Sequence, residues 1–144
     1  MNWLGRWEIF AFGSAIFASV TSLFSKLGVA YLNSNLATLI RTSVVLGVTA
    51  LILSLRNEWQ KPETIDPKTW IFLILSGIAT GLSWLCYYHA LALGPVSRVA
   101  SIDKLSIALT ILLGIIILGE KLTWPIVLGG GLITLGAVII MIFG

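Results

Sequence analysis

The sequence predicts an all-α integral membrane bundle of five transmembrane helices. Three observations carry that expectation. Five apolar runs, at about 9–31, 35–55, 70–93, 96–118 and 124–143, each reach the roughly 20 residues that a helix needs to cross a bilayer. Only 10% of residues are charged and the mean hydropathy is +1.01, whereas about a quarter of residues are charged in soluble domains. The links between runs are short, so nearly all of the 144 residues fall in spans, and a single transmembrane domain over 1–144 is expected.

The first run follows Arg6 and Glu8 and is longer than the apolar core of a signal peptide, so it is expected to stay in the membrane. Within it Ser14, Ala18, Thr21 and Ser25 lie at helical spacing, as do Ala15, Ser19, Ser22 and Lys26. Small and polar faces of this kind serve close helix approach more simply than they line a pore. Asn33, Ser34 and Asn35 mark the turn into the second run, which carries Arg41. Residues 56–69, RNEWQKPETIDPKT, form the one sizeable polar loop, and two prolines with mixed charge predict irregular structure there. In the third run Gly77 and Gly81 form a G-x-x-x-G pair whose stripe continues to Trp84 and Tyr88. Gly94-Pro95 then marks a turn, and the fourth run holds Asp103 and Lys104. Residues 121–124 make the last link, with Thr123 at the N-cap and Pro125 in the first turn of the closing helix. That helix places Gly130, Thr134 and Ala137 on one face, open to a close neighbour.

Several function classes are disfavoured. The net charge of +3 comes from nine basic and six acidic residues scattered singly, with no polybasic block, so no nucleic-acid partner is expected. Cys86 is the lone cysteine and reads as a small apolar filler. There is no paired-carboxylate motif, no nucleophile pair, no P-loop and no H-E-x-x-H, and a lone His89 is not a metal site. No enzyme activity, cofactor or metal is expected. The lipid bilayer is the first partner.

Five spans put the two ends of the chain on opposite faces of the membrane. The face of the N-terminal end carries Arg6, Arg56, Lys61, Lys68 and Lys121, whereas the far-face links carry only Arg98. By the positive-inside rule the near face is cytoplasmic, in a cell (inner) membrane. Trp3, Trp7, Trp59, Trp70 and Trp124 flank spans on that same face, as an interfacial aromatic belt does. Counting the intramembrane Lys26, Arg41 and Lys104 with the far face shrinks the bias to five against four, which leaves insertion in both orientations open.

The intramembrane charges are the site hypothesis. An ionisable residue inside a span is costly and faces a protein interior or a wet cavity. Arg41 is six residues and Asp103 seven residues from the far-face ends of their spans, roughly 9–11 Å deep at 1.5 Å per residue. Lys26 and His89 lie a few residues from that face, within snorkelling reach, and are more simply interfacial. Together with Lys104 these residues form one layer toward one face. Asp103 continues along its helix through Ser106, Thr110 and Gly114, and Arg41 is its natural partner. Lys104 would then be a surplus cation favouring an anionic or carboxylate-bearing ligand. Tyr88 and Trp84, on the third span, are candidate ligand contacts.

The passage ALALGPVSRVASID, the LGEKLTWP junction and the closing GGGLITLGAVII resemble the EamA-type domain of the drug/metabolite transporter superfamily. Lys26 and Arg41, the latter in LATLIRTS, fit the same pattern, and DKLS followed by LGEKL resembles its small five-helix members. The resemblance covers essentially the whole chain. It implies a small-molecule transporter equivalent to one repeat of a ten-helix inverted-repeat relative. It also implies pairing, as an antiparallel homodimer or a heterodimer with a related protein, to enclose a pathway. Two readings follow: a secondary transporter or exporter of a small polar or anionic metabolite in which Asp103 is the candidate for a coupling proton, or a non-transporting membrane subunit that stabilises or regulates a partner protein.

Overall fold

A computed structural model describes residues 7–144. It contains helices and no strand among the described residues: α1 (Trp7–Val29), α2 (Ser34–Arg56), α3 (Pro67–Leu93), α4 (Val96–Asp103), α5 (Ser106–Leu118) and α6 (Trp124–Phe143), with a short 3-10 turn at Pro62–Thr64. Five spans long and apolar enough to cross a membrane result, α4 and α5 together making the fourth. The expected belt and charge residues Trp3 and Arg6 lie outside the described residues; Trp7, Trp59 and Trp124 are exposed.

The helix ends follow from local chemistry. Asn33 caps α2, its side chain accepting from the Asn35 N–H at 2.9 Å. At the other end Asn57 adopts a left-handed φ of 54°. The Glu58 N–H then reaches the Leu53 carbonyl and the Asn57 N–H the Ser54 carbonyl, the two bonds of a Schellman stop. Gly119, φ 67°, ends α5 in the same left-handed region, where a side chain would be strained. Thr123 stands at the N-cap of α6 with Pro125 just inside, but its hydroxyl makes no capping bond.

The fourth span was expected to be continuous and is not. Between α4 and α5 the N–H groups of Lys104, Leu105, Ile107 and Ala108 bond three residues back, so the helix tightens into 3-10 geometry at the charged pair. No proline or glycine sits there. Ser101 donates its hydroxyl to the Ser97 carbonyl at 2.7 Å, a back-bond of the type that bends helices, immediately before the break.

The chain divides into two compact units. One joins the residues up to Phe24 with Leu93–Gly144, and the other is Ser25–Ala92. In the first, α6 packs along α4 and α5. Gly130 faces α5 there, and a Cβ at that position would stand 2.8 Å from Ile111 Cδ1, so that side-chain end would have to move. Gly114 and Ala137 are buried in the same unit. In the second unit the buried side chains are Ser25, Val29, Ala37, Thr38, Tyr88 and Leu91. All belong to one end, where α1 finishes, α2 begins and α3 finishes.

Outward faces are apolar throughout, with Phe17, Phe72 and Ile117 among the exposed side chains, as a lipid solvent requires. Four hydroxyls on those faces are self-satisfied: Ser19, Ser22, Ser43 and Ser54 each donate to the carbonyl four residues earlier.

Candidate functional site

Ser25–Ala92 assembles the densest polar arrangement. Arg41, one turn beyond the buried Ala37 and Thr38, extends toward α3, and its guanidinium carbon sits 3.8 Å from the centroid of the Trp84 ring and 5.9 Å from that of Tyr88. A guanidinium over an aromatic face is stabilised by about 0.5–2 kcal/mol, more as it is withdrawn from water. Its Nη1 is buried without a hydrogen-bond partner. A buried charged donor left unpaired costs more than the roughly 1–3 kcal/mol of a neutral one, so the arrangement favours an incoming acceptor. Trp84 and Tyr88 lie four residues apart on one face of α3, which is why both reach the same cation.

Tyr88 is held from behind. Its hydroxyl and that of Ser25 share a 2.7 Å hydrogen bond, both groups being buried. Lys26 donates from Nζ to the Leu91 carbonyl at 2.6 Å. That places a cation at the C-terminal end of α3, where the exposed carbonyls and the helix dipole favour it. Lys26 therefore closes the end of α3.

Between α2 and α3 runs a groove of about 420 Å³, with Thr42, Val45 and Thr49 on one wall and Ser76, Gly77 and Thr80 among the residues of the other. It reaches Trp84, the residue under Arg41. Among the described residues, a Cβ at Gly77 or Gly81 would meet nothing within 4 Å. The G-x-x-x-G pair lines the groove on its α3 side. Ser25, Ser76 and Thr80 were not singled out as site residues from the sequence. The Ser76–Thr80 spacing and its repeat with Thr42 and Thr49 would have marked a hydroxyl-bearing pair of helix faces.

The remaining candidates lie elsewhere. Asp103 and Lys104 belong to the other unit. Lys104 Nζ lies 3.4 Å from Asp103 Oδ2, with the two side chains 54% and 42% exposed. The long lysine stem turns back onto its neighbour in the same span. Such a half-exposed pair is worth little energetically. Ser106 and Thr110 follow on α5 and are exposed, as is His89 on α3.

Comparison with known proteins agrees with this helical architecture. The EamA-like transporter family matches residues 5–142. A protein of a Sinorhizobium species, named as an uncharacterized transporter in the cobO 3′ region, is 50% identical over 137 residues, covering 95% of this chain and 97% of its own length. An uncharacterized protein of Methanocaldococcus jannaschii is 29% identical over 101 residues, 69% of this chain and 74% of its own. No solved structure matches. With the match running almost end to end across all five spans, the chain belongs to the EamA-like transporter family.

Proposed function

We propose that the protein is a secondary transporter of a small polar or anionic metabolite, working as a dimer and not as an enzyme. The observation that carries this reading is Arg41, a cation held within a span over Trp84 with a buried Nη1 that has no partner. A fixed cation of that kind recognises an anion. Family membership supports transport as the activity.

In the proposed cycle Arg41 attracts the substrate and the aromatic pair Trp84 and Tyr88 bounds it. The 3-10 turn between α4 and α5 is the place where the fourth span flexes, since i→i−3 bonds are weaker than those of the flanking helix. Asp103, at that turn, is the group assigned to a coupling proton, with Lys104 as its counter-ion. The near face is assigned to the cytoplasm. A second copy or a relative, inserted the other way up, supplies the opposite wall of the pathway.

Uptake into proteoliposomes tests this. Arg41→Gln, Asp103→Asn and Lys104→Gln should each lower flux of an anionic substrate at least about tenfold, the scale of one lost charge-assisted contact. Wild-type flux in all three would sink the reading.

A further inference from the structure

The geometry points to an amphipathic monocarboxylate as the ligand of Ser25–Ala92, its carboxylate on Arg41 and its apolar body along the groove between α2 and α3. This rests on the transport reading above and narrows it to a substrate class.

Four features select that chemistry. First, the guanidinium fork presents paired N–H donors that match a carboxylate in plane, while Trp84 occupies one of its faces. Nη1 is buried without a partner, so the guanidinium must turn for that N–H to reach the carboxylate. Second, the groove leading from Trp84 is walled by uncharged residues. A second carboxylate on the ligand would lie among Val45, Leu46 and Leu73 with no cation to meet it, a placement that burial penalises heavily. One anionic group is therefore accepted. Third, the groove extends along α3 from Trp84 back to Leu73, about 16 Å of helix, and its 420 Å³ falls in the range of small-molecule pockets. An elongated apolar body fits it better than a compact polar one. Fourth, the hydroxyls divide into two sets. Thr42 and Thr49 already donate to backbone carbonyls of α2, whereas those of Ser76 and Thr80 have no hydrogen-bond partner among the described residues. One polar substituent along the body can be met from the α3 side.

The test uses the full-length protein in lipid nanodiscs, titrated calorimetrically with propanoate, hexanoate and decanoate and with hexanamide as the uncharged control. Affinity should rise about fourfold per methylene until the groove is filled. Hexanamide should bind at least about tenfold more weakly than hexanoate. Arg41→Gln should remove that difference between acid and amide. Gly77→Leu, whose side chain enters open space, should lower the chain length of the tightest ligand by blocking the groove about 10 Å along α3 from Trp84. Because this variant keeps Arg41, it remains informative even if Arg41→Gln does not fold.

Equal binding of acid and amide, a flat chain-length series, or a chain-length profile unmoved by Gly77→Leu would overturn the proposal. So would an anionic phospholipid that co-purifies with the wild type but not with Arg41→Gln and blocks the carboxylates, since the groove would then belong to a lipid. Carboxylate binding without flux in proteoliposomes supports the site and removes the transport reading. Flux of other solutes with no Arg41-dependent carboxylate binding does the reverse.

Discussion

Replacing Tyr88 by phenylalanine separates the two tasks of that residue, because the ring that faces Arg41 stays and only the hydroxyl bound to Ser25 goes. The bond is short, 2.7 Å, and its ends are 5% and 6% exposed, so water does not replace it. Hydrogen bonds between transmembrane helices are worth about 0.6 kcal/mol on average and up to about 1.7 kcal/mol. The two single replacements should differ. In Tyr88→Phe the stranded Ser25 hydroxyl can turn to the carbonyl four residues back, as Ser19 and Ser22 do, and the cost should be about 1 kcal/mol. In Ser25→Ala the phenol has no such fallback, and about 1–2 kcal/mol should be lost. The double replacement should cost less than the sum by about 1 kcal/mol, the coupling of the pair. Reversible unfolding in mixed micelles measures all three variants. Strict additivity, or a neutral Ser25→Ala, would show that the hydroxyls do not act as a buried pair. A large loss of carboxylate affinity in Tyr88→Phe at unchanged stability would refute the division of labour between ring and hydroxyl.

Other outcomes can be checked alongside. Lys26→Met should destabilise the protein by about 1 kcal/mol through loss of the contact to the Leu91 carbonyl, while leaving anion affinity within about twofold; a purely affinity-lowering effect would place Lys26 in the site instead. Gly119→Ala should cost about 1–2 kcal/mol in a thermal melt because of the left-handed φ, and Gly119→Asn less, since asparagine tolerates that region. Reporter fusions at the C-terminal end, read from both sides of the membrane, should signal on both faces for an antiparallel homodimer, whereas one face alone would require a partner of opposite topology or a parallel pair. A stoichiometric, different membrane protein that co-purifies, with no flux by the isolated chain, would favour the partner-stabilising reading over transport.

Much of the site was legible in the amino-acid order. Arg41, Trp84 and Tyr88 were each marked by being polar or aromatic at a countable depth in a hydrophobic run. Lys26 was marked too, but its contact with the Leu91 carbonyl at the end of α3 was not. That Lys104 lies 3.4 Å from Asp103 was not legible. Depth along a helix follows from counting residues, but the direction a side chain points around the axis depends on how the helix is rolled against its neighbours.

The sequence by itself determined the five membrane spans and most of their ends. Hydrophobicity summed over some 20 residues, an N-cap asparagine and a C-terminal glycine act within a few turns of one segment and need no tertiary contact. Only the tertiary structure decided three things: that the fourth span breaks into α4 and α5 without a proline or glycine, that Lys104 turns back to within 3.4 Å of Asp103, and that Gly77 and Gly81 line a groove between α2 and α3. Each depends on helix roll and separation. Those are set by the packing of whole faces, to which a single residue's identity contributes little.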